Sequence, residues 1–403
     1  MSSRRLNLGG QYQLSGKNTY RGFPLMRTTQ APTSAAAESS TWRSLSRVEI
    51  DLFVRSMMTA YEVVGVQKKH GRMTMDKVED PSDLLLEFPP QVHSPKKFLF
   101  PNWQKLFRFS LGGKVHLEAD KAAVPRVIFG MHPCDLHAVQ VLDDCLFEGE
   151  ADSVYRSKRE ATLLIGVDCL PDEHCFCSSV GTDRTDSGFD LFFHRADEGY
   201  LVQSGTERGE ALLRRHAPQV AKRDEEAPLP LQVKPCEHQL DFPVDALAPL
   251  LGDAYDHPLW QEVGERCLGC GACTLLCPTC YCFNVEDKMD DDLAGGERVR
   301  TWDSCQFDHF TRVAGGRDFR SDQADRQRHR FFRKYKYLWE KHERTACVGC
   351  GRCSRECLAH IAPVNVLNRL FVEEASPELK ALPANEYQPD MVEIVAVEDL
   401  TTQ

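Results

Sequence analysis

Apolar spacing sets the first expectations. Leu45, Val48, Leu52, Phe53 and Met57 recur at helical intervals, which predicts a helix beginning near Arg43. Residues 61–67 read as a strand with a turn at Gly71-Arg72, and 103–109 as a mildly amphipathic segment closed by Gly112-Gly113. The run Val127-Ile128-Phe129-Gly130, bounded by Pro125, and residues 161–167 (ATLLIGV) both read as buried strands. Between them Ala138, Val139, Val141 and Leu142 line one side of a helix, with Asp135 placed as its N-cap. A hairpin is expected from Phe189-Asp-Leu-Phe-Phe, a turn at 197–199, and Tyr200-Leu-Val-Gln. From 205 to about 263 the chain is polar with helical character, and 222–230 reads as linker. Strands interspersed with helices predict a mixed α/β domain.

Chemistry enters near the C-terminal end, where two cysteine runs stand out. They read Cys267-Leu-Gly-Cys270-Gly-Ala-Cys273-Thr-Leu-Leu-Cys277-Pro278 and Cys347-Val-Gly-Cys350-Gly-Arg-Cys353-Ser-Arg-Glu-Cys357. Both have the C-x2-C-x2-C-x3-C spacing of two-cluster ferredoxins, in which three thiolates of one run share a [4Fe–4S] cluster with the fourth of the other. A zinc site needs four ligands and has no use for this doubled pattern. The spacing assigns Cys267, Cys270, Cys273 and Cys357 to one cluster, and Cys347, Cys350, Cys353 and Cys277 to the other. Gly269, Gly271, Gly349 and Gly351 suit a tightly curved backbone close to sulfide.

Composition narrows the class. The chain has 403 residues, enough for two or three cored domains, and a formal charge of −11, which argues against nucleic-acid binding. Seventeen cysteines in a long chain, eight of them in cluster spacing and with no secretory leader, favour a reducing cytoplasm. No apolar run approaches the roughly 20 residues that span a bilayer, so membrane insertion is not expected. Residues 1–37 carry five basic residues and no acid, and read as a disordered extension more readily than as a transit peptide.

Four further cysteines lie in the N-terminal half: Cys134 after one expected strand, and Cys169, Cys175 and Cys177 after another. Cysteines at the ends of adjacent strands can converge, so a third iron–sulfur cluster, a zinc ion and buried structural thiols all remain open there. Cys145 and Cys236 are isolated and read as structural. Cys280, Cys282 and Cys305 are one short of a cubane site; they shield a cluster, donate weak hydrogen bonds or replace a ligand. Residues 326–344 interleave eight basic residues with Phe331, Phe332, Tyr335, Leu338 and Trp339. This predicts an amphipathic helix with aromatics inward and a solvated basic face, compatible with docking an acidic partner. No G-x-G-x-x-G after a strand and no P-loop signals a flavin or nucleotide on this chain, and no residue is a candidate acid, base or nucleophile.

Several motifs resemble one family: Gly130-Met-His-Pro-Cys-Asp-Leu-His-Ala138, Leu164-Ile-Gly-Val-Asp-Cys169, Cys175-Phe-Cys177, Cys277-Pro-Thr-Cys-Tyr-Cys-Phe283, Trp302-Asp-Ser-Cys-Gln-Phe307 and the Arg-His-Arg at 328–330. The chain resembles, over about 45–375, the iron–sulfur β subunit of cytoplasmic sulfhydrogenases and NAD(P)-linked nickel–iron hydrogenases, and the corresponding iron–sulfur chain of anaerobic sulfite reductase. Two departures are visible: Leu358 stands where proline usually follows the last cluster cysteine, and His132 where arginine is common.

The resemblance implies an electron-transfer subunit with at least two [4Fe–4S] clusters, beside a flavin- and NAD(P)-binding subunit and a catalytic hydrogenase or reductase subunit. The alternative is a reductase whose N-terminal cluster itself handles a sulfur substrate. The expected fold is α+β, an N-terminal mixed α/β domain followed by a C-terminal, mostly helical dicluster ferredoxin-like domain. The expected organisation is a flexible extension (1–42), the α/β domain (43–225), a linker or helical connection (226–260), the two-cluster domain with a long basic insert (261–375) and a tail (376–403).

Overall fold

The computed structural model describes residues 42–381 apart from 70, 120–122, 198, 221 and 224–235. The expected extension, most of the 222–230 linker and the tail beyond 381 lie outside the described residues. Twelve strands run through the described chain: β1 (Trp42–Leu45), β2 (Glu62–Lys69), β3 (Arg72–Lys77), β4 (Trp103–Ser110), β5 (His116–Ala119), β6 (Arg126–Met131), β7 (Thr162–Val167), β8 (Leu191–Arg195), β9 (Tyr200–Ser204), β10 (Lys222–Arg223), β11 (Phe283–Met289) and β12 (Gly295–Trp302).

Eight of them form one sheet in the order β10-β1-β9-β8-β7-β6-β2-β3. Its centre, β8, β7, β6 and β2, is parallel, and both flanks are antiparallel. All six residues of β7 and five of six in β6 are buried, which is why both read as unbroken apolar runs rather than alternating ones. Because β6 and β7 are adjacent and parallel, the segments that follow them leave at the same edge of the sheet. Cys134 and Cys169 are therefore carried to one place.

Some local expectations need correcting. Residues 42–45 are strand, since Arg43 is buried in a bidentate pair with Glu210 of the helix Glu207–His216. The first helix is Arg47–Met57, started by a Ser46–Glu49 capping box. The N-cap of the helix Pro133–Leu146 is His132, with Pro133 in the first turn; Asp135 lies inside and turns to another partner. Residues 103–110 form β4, whose pairing partner β12 lies far along the sequence.

The second sheet, β11-β12-β4-β5, is antiparallel and joins strands from before residue 120 to the hairpin that follows the first cysteine run. Beyond it the fold is helical. Helix Leu259–Arg266 crosses helix Gln323–Phe332 at Gly264, where a Cβ would lie 2.6 Å from the Ala324 nitrogen. Trp260 then packs its buried indole beside Phe331 and Phe332, with ring centroids 5.4 and 6.0 Å away.

Candidate metal centres

Both cysteine runs are built alike. The middle residues Gly269, Gly271, Gly349 and Gly351 all have positive φ, between 60° and 73°, a conformation that a side chain would strain. One helical turn follows each, Ala272–Leu275 and Arg352–Arg355, and carries the third cysteine. The two turns pack against each other. Each run's fourth cysteine thus crosses to its neighbour.

Two enclosed spaces result. One, of about 440 Å³, is lined by Cys347, Cys350, Cys353 and Cys277. The other, of about 390 Å³, is lined by Cys267, Cys270, Cys273 and Cys357. Each holds three cysteines of one run and one of the other, the partition that the spacing predicts. Among the described residues no three His, Cys, Asp or Glu side chains close on a single-ion centre. A cubane makes no such demand, because each thiolate meets its own iron.

The electrostatics are those of a site for anions. Burial pushes the Cys273 thiol up to about 12 and Cys350 to about 11, so a free thiol there keeps its proton. Cys277 is held below an ordinary thiol by the neighbouring Cys280 thiol and then by the Lys334 ammonium, against burial. Arg330, 3% exposed, lines both cavities. Burial disfavours its charge, but the surrounding Cys273 and Cys353 hold it cationic, and its Nε meets no acceptor. Around Cys267, the Gln327 and Gln323 amides donate to Sγ at 2.9 and 3.2 Å and the Gly269 N–H at 3.4 Å. The Ile361 N–H donates to Cys357 Sγ at 3.3 Å.

The basic stretch is therefore not a solvated face. Arg326, Arg330 and Lys334, spaced by four, are buried along the helix Gln323–Phe332 and the π-helical turn Arg333–Tyr337. Arg330 and Lys334 point at thiols; Arg326 binds the Arg320 and Ser321 carbonyls. Arg328, Lys341 and Arg344 form ordinary ion pairs with Asp325, Glu148 and Asp144.

The N-terminal cysteines also gather. Cys134, Cys175 and Cys177 share a buried cluster with Val348 and Cys350 of the second run, and Cys169 lies close enough to interact electrostatically with Cys134 and Cys175. Cys236, which the sequence leaves isolated, belongs to this nest: its Sγ lies 3.5 Å from Cys177 Sγ. No local spacing signals it, because it stands 59 residues beyond Cys177 in the sequence. Cys145 sits with Val141, Leu338 and Ala346, as a structural thiol would.

The nest abuts the second run closely. The Phe176 N–H donates to the Gly349 carbonyl at 2.8 Å, and a Cβ on Gly349 would lie 2.5 Å from the Cys177 nitrogen. Arg352 forms a fully buried bidentate pair with Asp135 at 2.7 and 3.0 Å and donates Nε to the Gln91 carbonyl at 2.6 Å. The opposite end is open: Cys270 is exposed, and Leu268 and Leu358 are 65% and 79% exposed beside it.

Cys280, Cys282 and Cys305 lie together as well. Cys282 and Cys305 flank the open end of the β11–β12 hairpin, where Phe283 faces Trp302 and the Asp303 N–H donates to the Cys282 carbonyl at 3.0 Å. Buried Ser304 and Gln306 pin this loop: Ser304 Oγ lies 2.7 Å from Thr274 Oγ1, and Gln306 donates to the Arg326 carbonyl at 2.9 Å.

Comparison with known proteins agrees with this geometry. Residues 266–361 match the family model of a 4Fe-4S dicluster domain. Over 322 residues, 79% of this chain, the sequence is 31% identical to the sulfhydrogenase 2 subunit beta of Pyrococcus furiosus, 95% of which is covered. No helix among the described residues is long and apolar enough to cross a membrane.

Proposed function

The chain belongs to the sulfhydrogenase β-subunit family, and from that membership we propose that it is the iron–sulfur electron relay of a cytoplasmic oxidoreductase complex. The observation that carries this reading is the pair of cavities, each lined by three cysteines of one run and one of the other. Cys267, Cys270, Cys273 and Cys357 hold one [4Fe–4S] cluster, and Cys347, Cys350, Cys353 and Cys277 the other. Such clusters supply reversible one-electron chemistry when bound. The chain's own contribution is to tune that chemistry. Amide donors at Cys267 and Cys357, and the Arg330 and Lys334 charges, stabilise added negative charge and so favour the reduced state.

Cys134, Cys169, Cys175 and Cys177 are the ligands of a third cluster in this reading, next to Cys350. The partners are a flavin- and NAD(P)-binding subunit and a catalytic hydrogenase or reductase subunit. The exposed Cys270, with Leu268 and Leu358 around it, is where one of them docks. A nest that itself handles a sulfur substrate is favoured by the spare fifth thiol, Cys236. Against it, all five thiols are at most 8% exposed, which leaves a dissolved substrate no direct access.

Iron and acid-labile sulfide, measured on anaerobically reconstituted chain with EPR of the reduced form, test the proposal. At least about eight irons are expected. A Cys277→Ser/Cys357→Ser variant removes one ligand from each ferredoxin site and should lose both reduced signals. A Cys175→Ser/Cys177→Ser variant should lose about four irons and keep those signals. Fewer than about eight irons in the parent chain sinks the relay, and an unchanged count in the second variant sinks only the third cluster.

A further inference from the structure

A third cavity lies behind the first cysteine run, separate from the two ferredoxin spaces and from the N-terminal nest. It encloses about 1130 Å³, more than twice the space of either ferredoxin cavity. Cys280, Cys282 and Cys305 all line it, and His329 lines it from the helix Gln323–Phe332. These four side chains come from three segments: the turn after the first run, the end of the β11–β12 hairpin, and the basic helix. The topology is specific. The hairpin returns the chain so that Cys305 arrives beside Cys282, and Ser304 and Gln306 are buried to fix the loop there.

The cavity is built for an anion. Arg330, Arg333 and Lys334 line it, and no carboxylate among the described residues does. Arg330 is 3% exposed and its Nε is buried without an acceptor, so a guanidinium edge lies desolvated at the junction of all three cavities. Leaving a cationic donor buried and unsatisfied is strongly unfavourable unless a negative group faces it. The ferredoxin pattern accounts for eight cysteines and leaves these three unused.

We propose that this cavity holds a further iron–sulfur cluster, with Cys280, Cys282 and Cys305 as thiolate ligands and His329 as the fourth. It goes beyond the relay reading, because it uses none of the eight ferredoxin cysteines and none of the N-terminal nest. The three thiols release their protons on binding, and the resulting negative charge falls among Arg330, Arg333 and Lys334. A cluster there shares Arg330 and Lys334 with the Cys277-containing cavity and Arg330 with the Cys267-containing one.

Iron and sulfide content of the full chain, reconstituted anaerobically, tests the assignment in a Cys282→Ser/Cys305→Ser variant. A loss of about four irons and four sulfides from the parent value, with the ferredoxin EPR signals retained, supports it. An iron content equal to the parent's overturns it. Should the variant aggregate, the parent chain labelled with ¹⁵N-histidine decides: a nitrogen coupling on a reduced cluster in pulsed EPR supports it, and absence of that coupling overturns it. Loss of the ferredoxin signals in the parent itself would count against the relay reading instead.

Discussion

At the scale of single residues the least conventional feature is Arg330. A guanidinium buried without a carboxylate partner is stable only if something else carries negative charge, and here thiols surround it. Placed at both ferredoxin cavities, it lowers the cost of each added electron. An Arg330→Met variant is expected to shift both midpoint potentials down by roughly 50–100 mV, from a Coulomb term of about 2 kcal/mol at an effective dielectric near 20. An EPR-monitored redox titration measures this, and unchanged midpoints would remove Arg330 from the tuning set. The sequence shows this residue only in part. The spacing of Arg326, Arg330 and Lys334 is visible, but it reads as a solvated face because their anionic counterparts, cysteines of the two runs, are remote in sequence. The eight ferredoxin cysteines were legible for the opposite reason: their spacing is local and carries the ligand geometry with it.

At the scale of elements the second cysteine run is clamped to the α/β sheet through one ion pair. Arg352 and Asp135 are 1% and 3% exposed at their side chains, and Asp135 sits in the helix that follows β6. Removing one partner strands the other charge. Arg352→Met is expected to destabilise the chain by about 3–5 kcal/mol, and Arg352→Met/Asp135→Leu by clearly less. Chemical denaturation of both variants checks this, and equal losses would mean that the pair acts through shape alone. This clamp explains why Asp135 is no N-cap, a role that its position just after the β6 strand suggested. The two central strands were legible because their burial on both faces leaves unbroken apolar runs. β1 and β4 were not, since their identity depends on Glu210 and β12, partners more than a hundred residues away.

At the scale of the whole molecule, cluster binding and folding are coupled. Without bound anions, Arg330 and Lys334 remain buried beside thiols that burial mostly keeps neutral. Chelating the iron is therefore expected to loosen the C-terminal helices while the eight-stranded sheet persists. Limited proteolysis should then cut between about 260 and 375 in the apo chain and leave the loaded chain intact; identical cleavage patterns would show that the cations are accommodated without the clusters.

The unequal exposure of the two ferredoxin sites has a consequence for handling in air. Cys270 reaches the surface, whereas Cys277, Cys347 and Cys350 are buried under the α/β sheet and the aromatic helix. Dissolved oxygen therefore meets one cubane long before the other. Bleaching on aeration should proceed in two phases, with the outer site lost first and the inner one surviving as a protected reserve.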